Sequence, residues 1–231
     1  VFQKKNTSIK YKDRYVDYPF QFNIHQLPKD EFIECLVDLF SKDEVDMNTF
    51  KEMLYAKFGK SIADKFLIPY NEKLYACDLD KLDCDAMGRF FPMADPVQIV
   101  QSFKKEQIQS YNDSFYYSAD GAVAFVNAFL ENIDTTKIIY DCKLKRIDTD
   151  KHVAYVDGEE ICYEYLVSTI SFAELLDITY TEHADCFTSN QVLVFNIGFD
   201  GASKDENSHW IYYPENKYCF YRVGYYNNIL R

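Results

Sequence analysis

The sequence predicts an α+β chain, a helical bundle followed by a largely antiparallel β-sheet. Three observations carry this. Before about residue 110, apolar residues recur at helical spacing between capping residues, and from Tyr111 onward the period shortens to that of strands. The third is composition: 48% hydrophobic residues with only seven glycines among 231 describe a chain with a packed core, not a disordered or fibrous one. The organisation expected is a mainly helical subdomain over 1–110 and an antiparallel-sheet subdomain over 111–231.

Taken in order, residues 1–17 mix charges and aromatics without a clear period and read as a loop or edge segment. Pro28 stands in the first turn of an amphipathic helix whose Phe32, Cys35, Leu36, Leu39 and Phe40 share one face. Asn48 or Thr49 caps a second helix with Phe50, Met53, Leu54 and Phe58 inward, closed by Gly59. Ser61 opens a third. It is expected to break or kink at Pro69, which lacks a backbone donor and pushes Ile68 out of the helical region. Two short helices follow, over 79–88 and 96–105. Beyond them, 112–117 is extended, and Gly121 opens a helix over 121–133 apolar on most of its surface, which implies deep burial. Strand-like runs cover 138–147, 152–156, 162–170, 192–197, 210–213 and 219–225, with Asp157-Gly158 as a hairpin signal.

Charge and cysteines narrow the function. A net charge of −12 sets a repelling field against a nucleic-acid backbone, so any anionic ligand must be held by a local cationic pocket. No run reaches the roughly 18 apolar residues of a membrane span, and the N-terminus lacks a signal-peptide core. Seven cysteines, odd in number and without paired spacing, read as reduced thiols and hence a cytoplasmic protein. The four histidines lie outside any metal spacing, and no catalytic triad is legible. A start at Val1 and an end just past a strand suggest a piece of a longer protein.

Residues 66–75, Phe-Leu-Ile-Pro-Tyr-Asn-Glu-Lys-Leu-Tyr, allow two readings. Asn71 can cap the helix that follows the proline. Alternatively Tyr70, Asn71 and Tyr75 form a pocket wall, rings to stack on a flat ligand and an amide to bond its edge.

With this stretch and Cys84 to Gly88 behind it, three more segments carry a resemblance: Tyr18-Pro19-Phe20-Gln21; Tyr116 to Gly121 leading into a helix; and Trp210-Ile211-Tyr212-Tyr213-Pro214-Glu215 followed by Phe220-Tyr221-Arg222. In their order and spacing the chain resembles the UDP-galactopyranose mutases, more closely the eukaryotic type and its bacterial relatives. The resemblance implies the substrate-binding part of an FAD-linked, amine-oxidase-like fold, acting on a UDP-sugar for surface polysaccharide synthesis. The nucleophile would be the reduced flavin, not a protein side chain. FAD would belong to the full-length protein. The Gly-x-Gly-x-x-Gly fingerprint is absent, so the fragment alone is expected to be inactive and free of flavin. Remnants of the FAD domain would be helix 121–133 and strand 138–147, with Leu144 at the adenine contact.

Matched to the family's motifs, Tyr18, Phe20, Gln21, Phe66, Asn71 and Tyr75 fall around uracil and ribose. Tyr75 stands where the family usually has tryptophan. Arg222 matches the diphosphate-binding arginine, with Tyr212 at the family's tyrosine position and Asn112 at an asparagine near that arginine. A guanidinium gives bidentate charged hydrogen bonds to phosphate. The family's second phosphate arginine falls on Phe90. Arg89 is expected to replace it, if the 79–88 helix ends at Gly88 and lets Arg89 face the cleft. Two rival readings are a flavin amine-oxidase-type oxidoreductase on the same architecture, and a UDP-sugar-binding protein without catalysis, which Phe90 favours.

Overall fold

The computed structural model describes residues 1–41, 46–88, 91, 95–104, 114–182, 184–187 and 189–229. It divides into two compact units, Val1–Ala122 with Phe199–Arg231, and Val123–Gly198.

The first unit opens in strands. β1 (Phe2–Lys4) pairs antiparallel with β4 (Ser114–Tyr116), while β2 (Thr7–Tyr11) and β3 (Arg14–Asp17) form a hairpin about Lys12, whose φ is 51°. A loop over 1–17 was the expectation; strands form because Thr7, Ile9 and Tyr11 alternate into the core. Ser8 and Lys10 occupy the intervening positions, and five residues are too few to make the period plain in the sequence. β2 then pairs in parallel with β8 (Trp210–Tyr212), and β8 pairs antiparallel with β9 (Arg222–Gly224), giving the order β3-β2-β8-β9. This pairing draws residues 199–231 into the first unit, where a boundary near 110 would have left them with the second.

Helices pack against this sheet. α1 (Lys29–Phe40) follows Pro28 and buries Cys35 and Leu39, with Asp30 and Glu31 in its first turn where the helix dipole favours carboxylates. α2 (Phe50–Ile62) starts with a capping box between Thr49 and Glu52. Gly59 breaks it, at φ 74° and ψ 165°, and a Cβ there would stand 2.6 Å from the carbonyl oxygen of Asp38. The Asp38 carboxylate accepts from the Ser61 backbone N–H at 2.8 Å and so caps the helix that resumes.

That helix does not break at Pro69. A π-helical turn, Ala63–Leu67, leads straight into α3 (Ile68–Tyr75), and Ile68 stays helical at φ −67°, ψ −60°. Ile68 N donates to Ala63 O, five residues back, so the wider register carries the chain past the donor that proline lacks. The expected helix over 79–88 is instead a 3-10 turn, Leu79–Lys81, followed by tight turns. Asp78 and Asp83 accept from the backbone N–H two residues on, at 3.1 and 2.9 Å, and these local bonds compete with a helix. α4 (Pro96–Ser102) has Asp95 and Gln98 as its capping box. Phe20, Phe50, Phe58, Phe66, Ile9 and Leu54 are among the fully buried side chains of this unit's core.

The second unit holds most of α5 (Ala122–Leu130), the antiparallel sheet of β5 (Leu144–Asp148), β6 (Val153–Val156) and β7 (Glu159–Cys162), and α6 (Phe172–Ile178). Asp157-Gly158 makes the expected hairpin turn, both residues at positive φ (48° and 94°) as a type I′ turn requires. Ile147, Val153 and Ala154 are its buried side chains. Deep burial of the 121–133 helix does not hold: Val123, Phe125, Val126 and Phe129 are 53–67% exposed. The strands expected over 162–170 and 192–197 do not form beyond Cys162, and Tyr165, Val167, Leu193 and Phe195 lie on the surface. An apolar sequence states a need for cover; cover itself comes from a packing partner. Among the described residues no helix is long and apolar enough to cross a membrane.

Candidate functional site

The site is built where the sheet of the first unit meets α3. Tyr212 and Arg222 are direct cross-strand partners in the β8–β9 pair, so the sheet sets them side by side on one face. The Tyr212 ring meets Tyr18 at 5.2 Å and Tyr70 edge-on at 5.1 Å. Tyr70 stacks on Phe66 (5.1 Å, 11°), Phe66 on Phe20 (5.1 Å, 21°), and Phe20 leans on Tyr11 at 5.7 Å. Phe66 and Tyr70 are one helical turn apart, and the Tyr18–Pro19 peptide, which is cis, leads into the 3-10 turn Phe20–Phe22. A continuous path of rings thus runs from the core to the exposed guanidinium of Arg222.

The polar rim of that path is organised. Trp210 Nε1 donates to the Tyr212 hydroxyl at 3.0 Å, and the Lys5 ammonium lies 5.0 Å from the centre of the Tyr18 ring and 5.2 Å from that of Trp210. Burial pushes the Tyr70 phenol well above the ordinary tyrosine range; the phenols of Tyr212, Tyr18 and Tyr221 push the same way, and the Arg222 charge opposes them. Tyr18 is raised by burial and by Tyr212. Tyr212 is raised by burial, opposed by the Trp210 bond and by Arg222. At neutral pH the cluster therefore presents neutral hydroxyl donors beside the positive charges of Arg222 and Lys5, an arrangement suited to phosphate oxygens.

Asn71 does not cap a helix. It sits inside α3, 1% exposed, its Nδ2 donating to Leu67 O at 2.6 Å while its Oδ1 is buried without a partner. Tyr75, one turn further, packs edge-on against Phe50 at 5.8 Å. Gln21 is 1% exposed on the turn after Tyr18-Pro19. Leu144 is the first residue of β5, opposite Val156. Arg89, Phe90 and Asn112 lie outside the described residues. The structure thus brings Tyr18, Phe20, Phe66, Tyr212 and Arg222 together, with Asn71 and Tyr75 on the adjoining stripe of α3. Tyr70, which the sequence offers only as one of two readings of residues 66–75, belongs to the same cluster, as do Trp210 and Tyr221, which stand in the quoted segments without an assigned role. The signal for Tyr70 is its spacing, four residues after Phe66 on a helix that does not break at Pro69.

An open groove of about 550 Å³ lies elsewhere on the first unit, lined by Tyr11, Glu31, Lys65, Pro69 and Glu215 among others. Its lysines are already engaged by carboxylates, Lys12 with Glu31 at 2.9 Å and Lys65 with Glu34 at 2.6 Å, which makes it a poor anion site.

No protein-family model matches the sequence. Among solved structures, the chain shares the fold of a sugar-nucleotide mutase. One match is a crystal structure of reduced UDP-galactopyranose mutase, with a TM-score of 0.77 at 23% identity, covering 99% of this chain and 54% of that one. The chain spans about half the length of the structure it matches. Among the described residues, Gly121 is the one glycine that stands at the start of a helix as a flavin-binding turn would require. Gly121 opens α5 at φ 83° with open space where a Cβ would stand, so no close backbone approach is being protected there.

Proposed function

We propose that this chain is the substrate-binding part of a flavin-dependent, UDP-galactopyranose mutase-like isomerase, which interconverts the pyranose and furanose forms of a UDP-sugar in the cytoplasm for surface polysaccharide synthesis. FAD would be held by the full-length enzyme. The observation that supports this best is the Tyr212–Arg222 pair meeting the Tyr18–Tyr70–Phe66 rings, in a fold shared with the mutase over 99% of the chain. Arg222 would take the diphosphate through bidentate charged bonds, with the Tyr212 hydroxyl as a further donor. Tyr18, Phe20, Gln21, Phe66, Asn71 and Tyr75 would surround uridine, with the buried Asn71 Oδ1 as an acceptor still lacking its donor. Asn112 and Arg89 would complete the anion site, and Leu144 would lie against the adenine of FAD.

Calorimetric titration with UDP and with uridine tests the reading. UDP is expected to bind more tightly, because only it carries the diphosphate; equal affinities, or no binding of either, would overturn it. One observation favours a second reading, a UDP-sugar-binding protein without mutase activity: phenylalanine stands at position 90, where the family has its second phosphate arginine. Turnover of UDP-galactopyranose by the full-length protein, abolished in Arg89→Ala, would decide for the mutase.

A further inference from the structure

Lys73 projects from α3, and its Nζ lies 3.0 Å from Tyr213 O, 2.6 Å from Glu215 O, 2.8 Å from Tyr218 O and 3.3 Å from Phe220 O. All four carbonyls belong to the loop that joins β8 to β9. An ammonium carries three protons, so four oxygens must share them, an arrangement closer to a dehydrated monovalent cation in a ring of carbonyls than to a directed pair. Burial works against the charge on Lys73 and lowers its pKa, while the Cys219 thiol and the Glu215 carboxylate favour it. That carboxylate is engaged elsewhere, with Lys217 at 2.7 Å and the Lys12 backbone N–H at 3.0 Å. The carbonyls are therefore what offsets the desolvation of the ammonium. Without a cation between them, their converging dipoles would repel and the loop would open.

The ends of this loop are the candidate site. Tyr212 precedes Tyr213, and Arg222 follows Tyr221, whose carbonyl accepts from Tyr213 N at 2.8 Å. The rings of Tyr213, Tyr218 and Phe220, from the same loop, pack on one another at 5.0–5.6 Å. We infer that Lys73 is the positioning residue of the Tyr212–Arg222 pair: the loop is a monovalent-cation site that the chain fills with its own ammonium, and filling it fixes where the arginine stands. Its consequence for ligand rests on the nucleotide reading above; the cation site does not.

Trp210, the single tryptophan, reports on the strand end through its bond to Tyr212, so its fluorescence follows the loop without any ligand. Lys73→Met, which keeps the length and removes the charge, is expected to shift Trp210 emission and raise its accessibility to iodide. In Lys73→Ala, ammonium or potassium chloride should restore the wild-type emission saturably and raise the urea midpoint, while tetramethylammonium at equal ionic strength does neither. Lys73→Arg should not rescue, because a planar guanidinium cannot fill a compact cage. UDP affinity in Lys73→Met should fall about tenfold or more, the worth of one charged hydrogen bond, with a smaller loss for uridine. Unchanged Trp210 emission in Lys73→Met, or a Lys73→Ala variant whose urea midpoint ignores ammonium and potassium, would overturn the inference. If the wild type binds no UDP, the nucleotide reading fails alone, and the Trp210 and urea measurements still decide the cation site.

Discussion

Tyr212 and Arg222 face each other across the β8–β9 pair, whose register sets them opposite one another. Replacing Arg222 with alanine therefore removes a charge without disturbing the core. UDP binding is expected to weaken by about 1.5–3 kcal/mol, the range for a charged hydrogen bond, with circular dichroism unchanged. Equal losses for UDP and uridine would make the arginine structural. The motifs 210–215 and 220–222 made this pair legible from sequence, because strand pairing joins segments the sequence already marks. Tyr70 was not legible as a ring partner, since that required knowing that the helix continues through Pro69.

Buried protons give a pH signature at the same scale. Burial pushes the Cys35 thiol and the Tyr213 phenol up to about 12, and raises Tyr18, Tyr70 and Tyr212. The folded chain keeps protons that an unfolded one releases above about 8.5 for cysteine and about 10 for tyrosine. Stability from these groups is complete below those values and falls as pH rises through the folded pKa values. His209 has the opposite sign. Its pKa is lowered by burial, and its Nδ1 accepts from Asn6 N at 3.2 Å, so its contribution is present above about 6.5 and lost as pH falls. Urea midpoints should decline on both sides of neutrality, and His209→Asn should flatten the acid limb. A midpoint constant from pH 9 to 11 would contradict the buried phenols.

At the scale of elements, Gly59 is the position where the sequence signal and the structure agree most sharply. The glycine expected to close a helix does so at a φ, ψ that only glycine adopts easily, and the Asp38 carbonyl occupies the space a Cβ would need. Gly59→Ala should cost about 1–3 kcal/mol from backbone strain alone, and more with the clash, read as a lowered urea midpoint at unchanged slope. Gly88→Ala, at φ 47° but with nothing within 4 Å of its Cβ, carries the backbone strain without the clash and so isolates the contribution of the Asp38 carbonyl. Helices α1 and α2 were legible because their start signals and periodicity coincide, whereas the continuation of the third through Pro69 was not. Strands β2 and β3 were not legible, because both are short and β3 buries only Val16; nor were the turns after Asp78, where aspartates satisfy the backbone locally.

For the whole molecule, the division into units follows pairing across the chain more than position along it. The parallel β2–β8 contact takes the last segment out of the second half, and no local pattern announces it. Segment 123–198, by contrast, keeps much of its apolar surface in contact with solvent. An exposed-surface dye such as ANS should bind strongly, and limited proteolysis should cut within 163–171 and 189–198 before it touches α2 or α3. Protection of those stretches at protease levels that cleave the first unit would contradict this.

The pairing of β2 with β8 also sets a schedule for synthesis. Residues 7–11 leave the ribosome long before residues 210–212, which occupy one side of β2. At about 5–20 residues per second, that side waits roughly 10–40 s with its hydrogen-bonding groups unmet. Throughout that interval the nascent chain exposes an adhesive strand, and a chaperone or a neighbouring chain could claim it first. The ring cluster around Tyr212 can assemble only after the wait is over, so the site cannot form until two segments about 200 residues apart have both been made.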